Sequence, residues 1–170
     1  MISFFTTIIK NSNCALILVR DPRNVRPSLA DMLRPSMQTL KHLVVNIIVD
    51  DVDVDPLIGI PSELEEMRTK NIVETVHITI VDRSRTSCRQ GDEWGRLDEV
   101  LTTPGWFLLK RVSLTIEIAG YLRRYEDGDE LEVTLRNLPE THFPRLSLTN
   151  SVPFDFEIIR VQQNLSKSSR

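Results

Sequence analysis

The stretch Leu109-Lys110-Arg111-Val112-Ser113-Leu114-Thr115-Ile116-Glu117-Ile118 decides how the rest of the chain is read. From Val112 on, apolar and polar residues alternate, which predicts a strand with one buried face. The phrase recurs as Leu40-x-x-Leu43-x-Val45-x-Ile47, Val73-x-x-Val76-x-Ile78-x-Ile80 and Phe143-x-x-Leu146-x-Leu148. With Leu43, Val76, Val112 and Leu146 taken as equivalent, the phrase advances by 33, 36 and 34 residues. Near-equal steps of this size are the mark of a solenoid.

Helix signals fall between these strands. Ser28 is placed to cap a helix carrying Leu29, Met32 and Leu33. Ser62 is expected to cap a second helix, with Glu63, Glu65 and Glu66 near its positive end and Asn71 as its stop. Asp92 opens a third, with Trp94, Leu97, Val100 and Leu101 on one face and Pro104-Gly105 at its end. Asp129 opens a fourth, with Leu131, Leu135 and Leu138 inward and Pro139 as its stop. Cys14 to Val19 reads as a first strand, Phe143 to Thr149 as the fifth, and Phe154 to Val161 alternates again. Met1 to Lys10 reads as a short helix. A strand, a helix and a parallel strand make a right-handed crossover. The expected fold is therefore α/β: a leucine-rich-repeat-like solenoid with about five parallel strands on one side and short helices on the other. A flat two-layer α/β sandwich is the alternative. Residues 1–161 are expected to form a single repeat domain, followed by a disordered tail at 162–170.

Three runs carry a family resemblance. They are Gly91-Asp92-Glu93-Trp94-Gly95-Arg96-Leu97-Asp98-Glu99-Val100-Leu101, the stretch from Gly105-Trp106-Phe107 through Ile116, and Leu138-Pro139-Glu140-Thr141-x-Phe143-Pro144-Arg145-Leu146. Together they resemble the C-terminal half of fungal F-box proteins, as does the joint Asn11-Ser12-Asn13-Cys14, and the likeness spans roughly residues 10 to 161. The resemblance implies divergent leucine-rich-like repeats that hold the target of a ubiquitin ligase. In such proteins the F-box itself binds a Skp adaptor. This N-terminus shows no Leu-Pro opening followed by two short apolar helices, so a Skp partner is implied only if an F-box lies upstream. The expectation is an interaction module for a protein target, with no catalysis of its own. The alternative is a truncated or degenerate relative with no retained partner.

Composition narrows the partners. A net charge of −3 over 170 residues gives no reason to expect nucleic acid or an acidic membrane. Cys14 and Cys88 make no disulfide framework. Neither a signal peptide nor an apolar run of about 20 residues is present, so a cytoplasmic or nuclear location is expected. Ser113, Ser147 and Ser151 lack a nucleophile-elbow context, and the six glycines form no phosphate loop. His42, His77 and His142 lie in three separate units without a ligand partner at metal spacing, and read as exposed or hydrogen-bonded. Trp94 and Trp106 read as packing residues, and Arg83, Arg85 and Arg89 as a solvated, mobile loop. No cofactor and no metal are expected.

The alternation also implies an outward set. If the apolar residues point to the helices, one outward row runs through Asn46, Thr79, Thr115 and Thr149, and its neighbour through Val44, His77, Ser113 and Ser147. With Arg111, Arg145 and Glu117 these form a solvent-facing field, and Asn46, His77, Thr79, Arg111, Ser113, Thr115, Glu117 and Ser147 are the candidate partner-binding residues. The acidic loop Asp50 to Pro56 matches only the start of a calcium loop. Asp51, Asp53 and Asp55 occupy the first three ligand positions, but Pro56 stands where a glycine is needed and Ser62 where a bidentate glutamate is needed. Titration calorimetry is accordingly expected to show no micromolar calcium site at Asp51, Asp53 and Asp55.

Overall fold

Leu43, Val45, Ile47 and Val49 are buried on β2 (Leu40–Val49), while Val44, Asn46 and Ile48 between them are half-buried. The same inside–outside alternation places Val76, Ile78 and Ile80 of β3 (Thr75–Asp82) and Val112, Leu114 and Ile116 of β4 (Arg111–Gly120) in one core. These contacts come from a computed structural model that describes residues 14–20, 33–34, 37–51, 53–69, 71–83, 88–120, 127–149 and 152–162. With β1 (Cys14–Arg20) and β5 (Phe154–Gln162) the strands form one sheet in the order β1-β2-β3-β4-β5, every neighbouring pair parallel.

The register of the three central strands is the one the repeated phrase predicts. Leu43 faces Val76 and Val76 faces Val112. Helices fill the crossovers: α1 (Ile60–Met67) between β2 and β3, α2 (Asp92–Thr102) between β3 and β4, and α3 (Asp127–Arg136), α4 (Leu138–Thr141) and α5 (Pro144–Leu148) between β4 and β5. Ile60, Leu64 and Met67 of α1 and Trp94, Leu97, Val100 and Leu101 of α2 pack onto the apolar face of the sheet. The chain is thus α/β, a parallel sheet alternating with helices. The expected N-terminal helix, the turn at Asp21 to Asn24, Ser28, Arg85 and the tail beyond Gln162 lie outside the described residues.

The fifth repeat departs from the expectation. Phe143 to Thr149 is not a strand: α5 occupies Pro144–Leu148, and β5 begins at Phe154, which faces Val112. The last step is therefore 42 residues rather than 34. Leu146 is buried and Leu148 is 81% exposed, which a strand with both residues on one face would not give. Phe143 and Leu146 are buried together, three residues apart, as on a helix face. Pro144 suits a first helical position, where its missing N–H costs nothing. The decisive contact is tertiary: Asp98 on α2 accepts the N–H groups of Arg145 (3.0 Å) and Leu146 (2.8 Å), capping α5 from 47 residues away.

Two other boundaries differ. The cap of α1 is Gly59 at φ 76°, a left-handed conformation that glycine adopts without strain, so Ser62 lies inside the first turn and caps nothing. Pro139 lies in the first turn of α4, which starts at Leu138, instead of ending the preceding helix, and α3 begins at Asp127 rather than Asp129. Asn71 does act as the stop after α1. Its Nδ2 donates to the carbonyls of Met67 and Arg68, and its Oδ1 accepts the N–H of Val73. Trp94, Phe143, Phe154 and Phe156 form a chain of ring contacts at 6.0, 5.4 and 6.5 Å, joining α2 to the last strand.

Leu114 sits at the centre of the core, 2% exposed. Leu114→Asp should cost about 1.5–3 kcal/mol of lost burial, with the penalty for an unpaired buried charge added. Denaturant unfolding checks this, and a variant that unfolds like the parent would contradict the register.

Candidate functional site

The face of the sheet turned away from the helices is built row by row from the parallel register. Asn46, Thr79 and Thr115 stand in one row, and Val44, His77 and Ser113 in the next, as the sequence predicts. Each row ends differently from expectation. Glu157 continues the first and Asp155 the second, because β5 occupies the place assigned to Phe143–Thr149. Ser147 is therefore not on this face. It lies on α5 and its hydroxyl donates to the Pro139 carbonyl at 2.8 Å. Arg145 and Thr149 leave the field with it, Arg145 pairing with Glu99 at 3.4 Å. The alternation of Phe154 to Val161 is legible in the sequence, but that it, and not Phe143–Thr149, supplies the strand beside β4 is decided by the packing, which leaves Leu148 exposed.

His77 is the most constrained side chain of the field. Its Nδ1 lies 2.5 Å from Ser113 Oγ and its Nε2 lies 3.0 Å from Thr79 Oγ1. On the next row toward the strand starts, His42 Nδ1 meets Thr75 Oγ1 at 2.8 Å. Thr79 and Thr115 are each only 8% exposed, so they do not face solvent freely as expected. Both are short side chains on central strands, flanked across the sheet and along it by longer neighbours. Arg111 is held by Asp155 at 2.9 Å, whereas Glu117 makes no ion pair among the described residues.

A serine hydroxyl against an imidazole nitrogen is half of a nucleophile–base arrangement, but among the described residues no carboxylate orients this imidazole. The distal nitrogen meets a threonine hydroxyl rather than a carboxylate. The N–H groups of β3 and β4, both internal strands, are spent on the sheet ladder, leaving no backbone pair there for an oxyanion. What the arrangement does is order the face: two hydroxyls fix the imidazole plane.

The remaining sequence candidates are held by the fold. Arg89 donates through Nη1 to the Asp53 carbonyl at 2.6 Å, and its own carbonyl accepts Trp94 Nε1, so this part of the arginine loop is tied down rather than free. In the acidic loop, Asp51 Oδ1 accepts the Asp53 N–H and Asp55 Oδ1 accepts the Leu57 N–H. Burial pushes the Asp55 carboxyl above its ordinary range, with the N–H donors around it pulling the other way. The Cys88 thiol is buried and raised well above the usual range, first by burial and then by the Asp82 and Asp55 carboxylates, which keeps it from forming a thiolate. Trp106 Nε1 donates to the Val100 carbonyl, which confirms Trp106, like Trp94, as a packing residue. A cleft of about 260 Å³ lies beside the start of β4, lined by Leu101, Trp106, Leu109, Leu146 and Val152 among others. Thr102, Thr103 and Thr149 share its lining, and it carries no titratable group. No helix among the described residues is long and apolar enough to cross a membrane.

No protein-family pattern, curated protein or solved structure matches this chain.

One ionic bracket fixes the frame on which the face is displayed. Just ahead of the strands, Glu74 binds Lys41 at 3.3 Å and Lys110 at 2.6 Å, while its backbone N–H donates to the Lys41 carbonyl and its carbonyl accepts the Lys110 N–H. The Lys110 and Lys41 ammonium groups hold the Glu74 carboxyl below its ordinary value of 4.5. A carboxylate with a depressed folded-state pKa contributes stability that is fully present above the unfolded value and is lost as pH falls through the folded one. Acid unfolding of the parent should therefore steepen below pH 4.5. In Glu74→Gln that part of the pH dependence should be missing, as read by thermal melts between neutral and acid pH.

Proposed function

We propose that this chain is a protein-interaction module of leucine-rich-repeat type, with no catalysis of its own, whose binding surface is the sheet face turned away from the helices. The observation that carries the reading is the residue-for-residue register of Leu43, Val76 and Val112 over three successive units. Units stacked at a near-constant step with helices on one side build a solenoid, and solenoids present their sheet face as an extended binding surface. On this face Asn46, His77, Thr79, Arg111, Ser113, Thr115 and Glu117 stand in aligned rows, and Asp155 and Glu157 take the edge place expected of Ser147. The resemblance of the Gly91–Leu101 and Leu138–Leu146 runs to fungal F-box proteins supports the same reading, in which the repeats hold a ubiquitin-ligase target. A Skp adaptor would join only through an F-box carried upstream. The irregular fifth unit, with its 42-residue step and two short helices, favours a second reading, a degenerate relative that retains the fold without a partner.

Selection of binders from a peptide display library on the purified chain tests the proposal. Asn46→Trp places a bulky ring on the face without touching the core, and should weaken the selected binders by about tenfold or more. Arg83→Glu with Arg89→Glu should leave them unchanged. The opposite pattern would move the site to the arginine loop. Recovery of no binder would favour the degenerate reading. Replacing His77 and Thr115 by alanine is a poorer probe, because Thr115 is buried and His77 carries two hydrogen bonds, so stability would fall as well.

A further inference from the structure

We propose that a second copy of this chain docks across the cleft beside the start of β4, with Phe107 of each copy entering the cleft of the other. Three large apolar side chains left exposed by the fold flank this cleft. Phe107 (79% exposed) and Leu108 (46%) stand between the lining residues Trp106 and Leu109, and Leu148 (81%) stands beside the lining residue Thr149. Exposed apolar residues grouped in this way mark a contact surface. The cleft, at about 260 Å³, is smaller than the sites that enclose drug-sized ligands. It has room for one aromatic ring, since an apolar cavity of about 150 Å³ holds a benzene. A knob and a hole on one surface make that surface complementary to itself, and a twofold axis then satisfies both contacts at once.

The hole is held in shape by contacts of its own. Trp106 Nε1 donates to the Val100 carbonyl at 3.0 Å. Gly105 turns the chain at φ 130°, with Arg68 packed so closely that a Cβ there would lie 2.8 Å from Arg68 Cγ. A cleft already formed costs little ordering when it is filled. Covering it costs little desolvation as well, because the Thr102 and Thr103 hydroxyls in its wall donate at 2.7 Å to the Asp98 and Glu99 carbonyls of α2. The charged residues next to its lining are paired within the chain, Arg145 with Glu99 at 3.4 Å and Lys110 with Glu74 at 2.6 Å. Two copies therefore meet there without an unpaired like charge on both sides. The area sets the strength. At the exposures given, the three side chains offer about 300 Å² of apolar surface per copy. Two copies cover about 600 Å² of it, and the usual polar share of an interface brings the total to about 1,000 Å². That is the lower limit for a specific contact, so the dimer is a weak one.

Sedimentation velocity of the full chain, from about 5 to about 500 μM, tests this. The parent should pass from monomer to dimer within that range and go no further, because a twofold contact closes. Phe107→Ser should weaken the dimer by about tenfold or more, as for an anchor in a pocket. Its thermal melt, read at the low end of the range where the parent is monomeric, should match the parent, as for an exposed substitution. Thr149→Trp fills the hole and should weaken the dimer equally. A mixture of the two variants restores one of the two knob-in-hole contacts, so it should associate more than either variant alone. Asn46→Trp on the sheet face should leave the dimer unchanged, which separates this contact from the partner-binding surface. A chain that stays monomeric throughout would overturn the proposal, as would a dimer that Phe107→Ser leaves intact or a mixture no better than its components. Loss of the dimer in Asn46→Trp would overturn it by moving the contact to the sheet face. Growth beyond the dimer would do so by pointing to open-ended pairing of strand edges. Selected peptides that bind a monomeric parent but not Phe107→Ser would name a foreign segment as the occupant instead.

Discussion

A parallel register shared by β2, β3 and β4 is the constraint on which the rest of the molecule depends. It stacks Leu43, Val76 and Val112 in one layer, Val45, Ile78 and Leu114 in the next, and Ile47, Ile80 and Ile116 in a third. Because side chains alternate across a strand, a slip of one residue would turn each of these layers out of the core together. The helices have no alternative seat: Leu64 and Met67 of α1 and Trp94 and Leu97 of α2 can be buried only against those layers. The same register sets the opposite face. The hydroxyls that hold His77 reach it because Thr79 and Ser113 are its neighbours along and across the sheet.

Polar side chains then finish what apolar layering leaves undone. Layers of aliphatic side chains fix which face is buried but leave helix ends with unsatisfied backbone groups. Asn71 closes the end of α1 and delivers the chain to β3. Asp98, nearly buried, does the corresponding work for the start of α5 and so ties α2 to the fifth unit. Burial raises its carboxyl above the ordinary value, and the two N–H groups oppose that shift. At the far end, Glu132 of α3 joins Arg136 and Arg160, linking the helical segment to β5, and both arginines depress its carboxyl. The Asp98 contacts and the Glu132–Arg160 pair span long sequence separations, and they close the last unit onto the sheet at its step of 42 residues.

The face proposed for binding shows a consequence of sheet geometry. Outward residues need not be exposed residues: Thr79 and Thr115 are as buried as Trp106 although they point away from the core. Longer neighbours overshadow short ones on central strands, while the edge strand displays Asp155 and Glu157 openly. The character of the surface is therefore weighted towards its β5 side, and that side is acidic and aliphatic.

The sequence by itself determined the parallel α/β class, the register of three central strands, the helix carrying Trp94 to Leu101, the Asn71 stop and two rows of the outer face. It did so because period two and period 3.6 are local patterns, and their apolar sets stay legible whatever they pack against. Only the tertiary structure decided that Phe143-x-x-Leu146-x-Leu148 is helical, that Ser147 leaves the face and that Asp155 and Glu157 replace it. A five-residue apolar spacing fits a short strand or a helical turn equally well. The choice was made by Asp98, a side chain on another helix, which supplies the acceptors that a lone helix end lacks. A contact between residues 47 and 48 apart in the chain leaves no trace in either local pattern, and so the helix at Pro144–Leu148 became visible only when the chain was folded.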